Sequence, residues 1–510
     1  MTTASGSGRD HGITVIAMVV VLGSTMTILD TTIVNVALNH LSEGFHAPLA
    51  TIQWVATGYT LALASVIPVT AWAIGRFGTK HVYIFSIALF TLGSALAGLS
   101  CNTGMLIAFR VLQGLGGGMV TPAGMTIVIR AADPARAGRT MSILGIPVLI
   151  GPLSGPVLGG WLVDAISWRA IFFVNLPIGA LVLVLAARLL RRGTPQAARR
   201  LDVPGLLTLS PGLAALVYGL STGGERGDFG SPGALVPTLL GAALVGAFTV
   251  RALTARHPLV DLRLFRRRVF GAGAGALALF CCAFLGSLLL GPLYYQLVRG
   301  QSATGAGLLA APQTLATGIT MQIATRLADK IAPARMVPVG VAVATTGFLL
   351  FTTQVAAGTP YWVLCGAGCV MGVGVGMTLM PTMTAVTRNL AHEVVPAAST
   401  ALSIIQQVAG SVGTALISVL LSGALADRLA GRAAGRPASR KGNALGAVQA
   451  LPAGARRAIA PRVAEAFQHT YGWAVALMAL ALVPALLLPR HTPEPVVAPT
   501  DPANRVPDPA

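Results

Sequence analysis

The segment VIAMVVVLGSTMTILDTTIVNVAL, residues 15–38, is apolar over a length that crosses a bilayer and carries a single charged side chain, Asp30. About 20 apolar residues in an α-helix span a hydrocarbon core. An ionisable group inside such a span is costly, so it usually faces the interior of a helix bundle and serves transport or proton relay. Asp30 is therefore a candidate for reversible protonation. The structural alternative is a carboxylate that only ties down a helix terminus or an arginine.

The composition of the whole chain is that of a membrane protein. Of its 510 residues 54% are hydrophobic and 10% are charged, whereas soluble proteins carry about 25% charged residues. The formal net charge is +19, but the basic residues are scattered between apolar segments, so they indicate membrane topology and not nucleic-acid binding. The five cysteines have no metal-ligand spacing with histidine and are interpreted as small apolar residues. We expect no metal site and no cofactor.

Apolar runs of about 20 residues recur along the chain and predict fourteen membrane spans. The spans begin near Thr14, Ile52, His81, Gly104, Thr140, Trp168, Asp202, Ala234, Val269, Ser302, Met336, Tyr361, Pro396 and Thr470. The seventh and eighth are rich in glycine, and the ninth is long enough to break near Pro292. Counts of twelve or thirteen therefore stay open.

The basic residues predict the orientation of these spans. If the N-terminus is cytoplasmic, the inner connections hold most of the arginines and lysines, and the short outer connections hold only Arg169, Arg226 and Arg299. This asymmetry follows the positive-inside rule and places both termini in the cytoplasm. Residues 427–469 disagree, because they would lie outside and yet contain eight lysines or arginines. The excess of Ala, Gly and Arg is typical of a GC-rich, bacterial genome, which indicates a bacterial cell membrane.

Two inner turns resemble each other. AWAIGRFGTK, residues 71–80, joins the second and third spans, and TRLADKIAPAR, residues 325–335, joins the tenth and eleventh. A basic turn at the same place in each half predicts two six-helix repeats, with the seventh and eighth spans inserted between them. Parallel repeats of this kind are typical of transporters whose substrate site lies between the repeats.

Five segments in this order carry a resemblance to a known family: LDTTIVNVAL at 29–38, QWVATGYTL at 53–61, RVLQGLGGG at 110–118, GIPVLIGPLSGPVLGG at 145–160 and WRAIFFVNLPIG at 168–179. Over nearly its full length the chain resembles the fourteen-span drug:proton antiporters of the major facilitator superfamily (EmrB/QacA type). The resemblance implies an all-α membrane protein with the major facilitator fold, two six-helix bundles plus two inserted helices.

The resemblance and the spans together divide the chain into five parts. These are a cytoplasmic N-terminal tail (1–12), an N-terminal six-helix bundle (13–192), the inserted helices seven and eight with flanking cytoplasmic loops (193–268), a C-terminal six-helix bundle that includes a long extracellular loop at 425–468 (269–490), and a disordered cytoplasmic tail (491–510).

The implied function is proton-coupled antiport, the export of amphipathic organic compounds such as drugs, antibiotics or secondary metabolites. The partners would be the small-molecule substrate, protons and membrane lipid, with no nucleic acid, and the chain would act as a monomer. A lipid transporter of the same fold is the alternative, and a non-transporting receptor or scaffold is a third class. The sequence has no P-loop, HExxH or Gly-x-Ser-x-Gly motif, so we predict that it is not an enzyme.

Asp30 and Arg110 are the predicted proton-coupling residues. Counted from the outer ends of the first and fourth spans, both lie about 9–12 Å below the outer surface. A guanidinium stays charged and needs a carboxylate or carbonyl oxygens around it. Burial favours the neutral form of Asp30, whereas a nearby Arg110 favours its charged form. The structural alternative for Arg110 is a clamp on the carbonyl groups of neighbouring helices.

Three further sets of residues complete the predicted sites. The substrate cavity is predicted at Asn35, Trp54, Tyr59, Gln113, Tyr295, Gln406 and Gln407, although Trp54 could also be an interfacial anchor. The antiporter motif implied by the resemblance, which would seal the outer half of the cavity, is Gly145, Pro147, Gly151, Pro152, Gly155, Pro156, Gly159 and Gly160, with ordinary close packing as the alternative. The inner gate is predicted at Arg76, Gly78, Lys80, Arg326, Asp329 and Lys330.

Two positions depart from the family pattern. Gly75 stands where the first inner turn of the family usually carries an Asp, so the inner gate would lack its first-half acid. In the thirteenth span, where relatives that take dicationic drugs carry an acid, this chain has Gln406 and Gln407. The second departure argues against a strong preference for divalent cations.

Overall fold

The computed structural model describes residues 4–47, 49–131, 146–190, 201–226, 229–255, 258–327, 331–387, 390, 393–429, 448 and 453–488, and every regular element in these ranges is helical. The first helices are α1 (Ala4–Phe45), α2 (Leu49–Ile52), α3 (Trp54–Val66), α4 (Val69–Phe77), α5 (Thr79–Gly98), α6 (Thr103–Ala131), α7 (Ile146–Ala165), α8 (Ala170–Phe173) and α9 (Asn175–Leu189). The middle hairpin is α10 (Val203–Arg226) and α11 (Pro232–Thr254), followed by a short 3₁₀ helix at Leu262–Arg266. The last helices are α12 (Arg268–Ser287), α13 (Leu290–Leu297), α14 (Ala303–Leu327), α15 (Pro333–Gln354), α16 (Tyr361–Thr387), α17 (Val395–Leu429), α18 (Ala453–Leu480) and α19 (Leu482–Leu486).

The predicted count of fourteen spans is not confirmed. In the described part of the chain, 11 helical segments are long and apolar enough to cross a membrane, or 12 if the bent pair α3 and α4 counts as one span. Two further helices, α7 with 20 residues and α14 with 25, lie where the fifth and tenth spans were predicted but are not among those 11.

Prolines explain where the long helices break. The axes of α3 and α4 differ by 56° across Ile67 and Pro68. The ninth span, for which a break near Pro292 was left open, is interrupted there, because α12 ends at Ser287 and α13 begins at Leu290, although Arg268–Leu297 still counts as one candidate span. A proline ring clashes with the carbonyl group four residues earlier, here that of Leu288, and proline has no N–H to donate.

The structure differs from the sequence expectation in two segments, the N-terminal tail and the long loop before the last span. Helix α1 begins at Ala4, inside the predicted tail 1–12. Helix α17 continues to Leu429 and α18 begins at Ala453, so both enter the predicted loop 425–468. Alanine, arginine and glutamate are strong helix formers, and these ends were missed because their charges exclude them from an apolar window. An ion pair between Arg428 and Glu465 joins the two helices.

Glycines set the packing of the helices around one another. A Cβ atom on Gly116 of α6 would lie 2.5 Å from the backbone nitrogen of Phe90 of α5, so the two backbones are almost in contact. Such close approach is typical of small residues at helix interfaces in membranes. In the second half α16 packs against α14 and α15, and α12 packs against α17. The two halves meet where α17 packs on α4 and α6, and where α14 packs on α7, while α10 packs on both α3 and α17.

Candidate functional site

Asp30 and Arg110 form a buried ion pair between α1 and α6. Both residues are 1% exposed, and Arg110 Nη1 donates to Asp30 Oδ2 over 2.5 Å. Arg110 Nε donates to the carbonyl oxygen of Val55 in α3, at 3.2 Å. The guanidinium therefore binds a carboxylate and also holds a backbone carbonyl of a neighbouring helix, which combines the two interpretations that the sequence left open.

Two amide side chains hold the second oxygen of the carboxylate. Gln113 Nε2 donates to Asp30 Oδ1 at 2.9 Å, and its Oε1 accepts from Arg110 Nη1 at 2.8 Å. Asn175 Nδ2, at the start of α9, donates to Asp30 Oδ1 at 3.0 Å and to Ser94 Oγ of α5 at 3.1 Å. Gln113, Asn175 and Ser94 are fully buried. The carboxylate thus accepts hydrogen bonds from α6 and α9, and the network reaches α3 and α5.

Aromatic rings enclose the guanidinium. The guanidinium carbon of Arg110 lies 4.2 Å from the ring centroid of Tyr59 in α3 and 5.8 Å from that of Phe172 in α8. A cation over an aromatic face is attracted by the ring quadrupole, and the attraction increases when water is excluded. The two rings therefore cover the guanidinium of a buried ion pair.

The segment RVLQGLGGG explains why these groups meet. Arg110 and Gln113 are three residues apart, so they project from the same face of α6. The glycines that follow let the neighbouring helices approach: a Cβ atom on Gly114 would lie 2.4 Å from the carbonyl oxygen of Tyr59. From α5, a Cβ on Gly93 would lie 2.7 Å from the backbone of Gln113. The helices that carry the network are therefore held at short, fixed distances.

Three glycines of the predicted antiporter motif line the contact between α7 and α1. Cβ atoms on Gly151, Gly155 and Gly159 would lie 2.3 Å from Ile28, 2.0 Å from Thr32 and 3.2 Å from Ile33, all in α1. Thr32 Oγ1 lies 3.2 Å from the carbonyl oxygen of Gly151 and 2.9 Å from that of Leu29 in its own helix, so its hydroxyl can donate across the contact or within α1. A Cβ on Gly160 would have nothing within 4 Å. Gly145 and the side chains of the motif residues Pro147, Pro152 and Pro156 lie outside the described part of the structure.

The residues predicted for the substrate cavity do not form one cluster. Tyr59 and Gln113 belong to the Asp30 network. Trp54 is 41% exposed and stacks on Tyr218 of α10 with ring centroids 5.5 Å apart.

Three further cavity candidates, Tyr295, Gln406 and Gln407, lie in the second half. Tyr295 is buried against Tyr294, with ring centroids 5.3 Å apart. Gln406 Nε2 lies 3.7 Å from Met383 Sδ, and Gln407 is half-buried on the same helix, α17. The side chain of Asn35 is not among those described.

The predicted inner gate is described only in part. Gly78 has φ of 81° and its N–H donates to Ile74 O, which closes α4 before α5 begins. Lys80 Nζ donates to the carbonyl oxygen of Ala187 in α9 at 2.5 Å, so it binds within its own half. Arg76 and Arg326 are exposed. Asp329 and Lys330 lie outside the described residues, and a Cβ on Gly75 would have nothing within 4 Å.

Sequence reasoning missed Asn175 and Ser94. Asn175 lies within the quoted segment WRAIFFVNLPIG but was not selected as a site residue. The available signal was an amide within an apolar span, which needs hydrogen-bond partners when it is buried. Ser94 gave no such signal, since a serine in a membrane helix can donate to its own helix backbone.

Comparison with known proteins places the chain among transporters. Residues 20–414 match the sequence profile of the Major Facilitator Superfamily. The chain is 42% identical over 411 residues to the multidrug resistance protein B homolog of Mycobacterium tuberculosis, which covers 80% of this chain and 76% of that protein. It is 31% identical over 396 residues to the multidrug export protein EmrB of Escherichia coli, which covers 78% of this chain and 77% of that protein.

A solved structure has the same overall fold. The human organic anion transporter MFSD10 aligns with a TM-score of 0.59 and 13% sequence identity, over 93% of this chain and 99% of that chain. At this identity the likeness concerns the fold alone.

Proposed function

The chain belongs to the Major Facilitator Superfamily, among its multidrug transporters of the EmrB/QacA type, and we propose that it is a proton-coupled antiporter that exports amphipathic organic compounds by alternating access. It is a multi-pass membrane transporter and not an enzyme. The observation that carries the proposal is the buried carboxyl of Asp30, held by Arg110, Gln113 and Asn175 inside the first helix bundle.

Protonation changes the charge balance of this site. While Asp30 is ionised, its charge and that of Arg110 cancel. Once a proton neutralises Asp30, the positive charge of Arg110 has no carboxylate partner at a position that is 1% exposed. An unpaired buried charge is strongly unfavourable, so the protonated state favours a conformation in which the guanidinium reaches water or another partner. Proton binding is thereby linked to the relative positions of the helices.

Antiport follows if the two conformations have opposite preferences for protons and substrate. The proton enters Asp30 from the outer side and leaves on the inner side, and each cycle returns the site to the state that binds substrate from the cytoplasm. The ligands shift the equilibrium only by their difference in affinity between the two states. Arg110 also lies over Tyr59 of α3, so the protonation of Asp30 affects contacts among three helices, α1, α3 and α6.

The substrate site is proposed between the two halves. In the second half, half-buried Gln406 lies beside Met383, which gives an amide next to an adaptable thioether. Trp54 presents an aromatic surface on the first half. A mixture of aromatic, thioether and uncharged amide groups suits amphipathic organic compounds. The compounds that the relatives' names refer to, drugs in general, agree with this class.

The membrane arrangement is proposed from the helices and the basic residues together. Helices α7 and α14, which pack on each other across the two halves, would cross the membrane as the fifth and tenth spans and complete the count of fourteen. The positive-inside asymmetry supports cytoplasmic N- and C-termini. We propose the monomer as the transporting unit, with the contact of α7 and α1 sealing the outer half of the cavity.

A susceptibility panel tests the exported class. The chain is expressed in a bacterial host stripped of its own pumps, beside an Asp30→Asn variant at equal membrane levels, and growth is scored against amphipathic antibiotics and dyes. The proposal expects resistance to several compounds with the wild type and none with the variant. Uniform sensitivity, combined with leaflet exchange of a labelled lipid in vesicles that contain the purified protein, would replace drug export with lipid transport.

A further inference from the structure

Asn175 differs from the other groups that hold Asp30 in having an unused acceptor. Its Nδ2 donates to Asp30 Oδ1 and to Ser94 Oγ, but its Oδ1 is buried and has no hydrogen-bond partner within the described part of the protein. Buried polar atoms are nearly always paired, so an unpaired amide oxygen beside an ionisable carboxyl needs an explanation.

A protonated Asp30 would require an acceptor that the present arrangement does not offer. The three groups that contact the carboxylate, on Arg110, Gln113 and Asn175, all donate to it. A guanidinium has no acceptor atom. Gln113 has one, but its Oε1 already accepts from Arg110 Nη1. Of these three side chains, only Asn175 has an acceptor atom that carries no hydrogen bond at all.

We propose that Asn175 is a positioning residue for Asp30 whose amide turns over when the carboxyl takes up a proton. With the carboxylate ionised, Nδ2 donates to Asp30 Oδ1. With the carboxyl neutral, the proton stays on Asp30 and the amide rotates so that its Oδ1 accepts the carboxyl O–H. This step rests on the proposed function, in which Asp30 carries the transported proton. The rotation concerns the terminal torsion of one side chain.

Ser94 can follow the rotation. Its hydroxyl accepts from Asn175 Nδ2 and donates to the carbonyl oxygen of Phe172 at 2.9 Å. A hydroxyl can act as donor or acceptor, so Ser94 can turn to donate to the amide oxygen of Asn175 and release Phe172. The ring of Phe172 faces the Arg110 guanidinium. The exchange would therefore connect the protonation of α1 to α5, α8 and α9.

The packing of α5 and α9 keeps Asn175 at the right distance. A Cβ atom on Gly179, one turn after Asn175, would lie 2.1 Å from Thr91 Oγ1 of α5. The amide can rotate, but the helix that carries it stays close to α5. The side chain of Asn175 can therefore change its orientation while helix α9 keeps its position against α5.

Few other titratable groups face Asp30. The helices packed most closely against α1 are α2, α3, α6, α7, α8 and α9, and α5 contacts α1 through Tyr83, which donates to the carbonyl oxygen of Val19, eleven residues before Asp30. Arg110 of α6 and Tyr59 of α3 face the carboxyl, and α2 and α8 carry no titratable residue. The remaining titratable residues of α6, α7 and α9 are about 13 Å or more away along the helix axes, at 1.5 Å per residue: Arg130, Asp164 and Arg188.

Infrared difference spectroscopy tests both the protonation of Asp30 and the rotation of the Asn175 amide, and it needs no known substrate. Purified protein in detergent is titrated, and the carboxyl C=O band that Asp30→Asn removes reports the protonation of Asp30. In protein with ¹³C-labelled asparagine, the amide C=O band of Asn175 is identified as the band that Asn175→Leu removes. This band is expected to move to lower frequency as the Asp30 band appears, because the amide oxygen gains a hydrogen-bond donor. An amide band that does not respond to the protonation of Asp30 would contradict the proposed rotation of the Asn175 amide.

The Asn175→Leu variant tests the positioning role. The ionised form loses a donor to a charged group, which outweighs the acceptor lost by the neutral form, so the midpoint of the Asp30 band should rise by about one pH unit. Gln296→Leu, the same change at a half-buried amide on α13, is the matched control and should leave the midpoint unchanged. An Asn175→Leu midpoint equal to that of the wild type would refute the positioning role. Asn175→Ala replaces the leucine variant if the latter is not monodisperse.

The result separates this inference from the proposed function. If Asp30→Asn still exports substrate against a gradient, the proton-coupling function fails, whatever the amide band does. If Asp30→Asn abolishes export and the Asn175 band is unresponsive, only the inference about Asn175 fails.

Discussion

Gly155 of α7 lies so close to Thr32 of α1 that a Cβ atom on Gly155 would come within 2.0 Å of the Thr32 hydroxyl oxygen. Thr32 is two residues beyond Asp30, and its hydroxyl oxygen lies 3.2 Å from the carbonyl oxygen of Gly151. The height of the buried carboxyl along the bundle is therefore set by the contact of α1 with α7. The glycine motif of α7, which is predicted to seal the outer half of the cavity, therefore also positions the helix that carries Asp30.

We expect Gly155→Ala to destabilise the protein, because the added methyl group must push α7 away from α1. Overpacking of this kind costs about 1–3 kcal/mol. Gly160→Ala on the same helix is the matched control, since its Cβ would meet nothing within 4 Å. Thermal unfolding in detergent, followed by tryptophan fluorescence, measures the difference. Equal melting temperatures for the two variants would show that the close contact between the helices does not contribute.

The ion pair predicts a pH-dependent cost for removing the arginine. In Arg110→Leu the buried carboxyl of Asp30 has no cationic partner, so the folded protein keeps a proton there at pH values where the carboxyl of the unfolded chain, which ionises at about pH 4, has already lost it. Where the folded state binds more protons, stability falls as the pH rises. Arg110→Leu should therefore unfold more easily at pH 8 than at pH 5, relative to the wild type.

The double variant Asp30→Asn with Arg110→Leu controls for this effect. It contains neither charge, so the additional loss of stability between pH 5 and pH 8 should disappear. Urea or thermal unfolding at several pH values gives the comparison. An Arg110→Leu penalty that does not change with pH would mean that Asp30 is compensated by another group.

The inserted helix α10 predicts a cross-link that stops transport. Trp54 of α3 and Tyr218 of α10 are stacked with ring centroids 5.5 Å apart, and α10 also packs on α17 of the second half. If α10 moves with α17 when the halves rock against each other, a covalent bond between α3 and α10 should hold the two halves in one state. Trp54→Cys combined with Tyr218→Cys, in a background with Cys101→Ser, Cys365→Ser and Cys369→Ser, should lose export once a short bifunctional thiol-reactive cross-linker joins the two new thiols. Single-cysteine variants treated in the same way are the control, and full export by the cross-linked protein would contradict the rocking motion across this contact.

The sequence predicted the two charged members of the site better than its polar members. Asp30 and Arg110 are conspicuous because a charge within an apolar span is rare. Gln113 was assigned to the cavity wall although it lies one turn after Arg110, and the structure places it between Arg110 and Asp30. Asn175 was missed because its distance from Asp30 depends on how α9 crosses α1, which hydrophobic patterns do not encode.

The sequence also predicted some helices of the fold better than others. Hydropathy located most helices, and Pro292 marked a break through a local clash that sequence reveals directly. The first turns of α18, with Arg456, Arg457 and Arg462, were interpreted as a loop, because a charged helix gives no apolar signal. Helix α14 had the opposite outcome, since its position was predicted but its polar content keeps it below the hydropathy of a candidate span.

The measurement that tests proton coupling most directly is proton release on substrate binding. An exported compound from the susceptibility panel is added to detergent-purified protein in weakly buffered solution, with a pH indicator dye as the readout and tryptophan quenching as the independent measure of binding. Wild-type protein should release protons as the compound binds, and Asp30→Asn should bind the compound without release. Equal proton release by the variant and the wild type would contradict the assignment of Asp30 as the proton carrier.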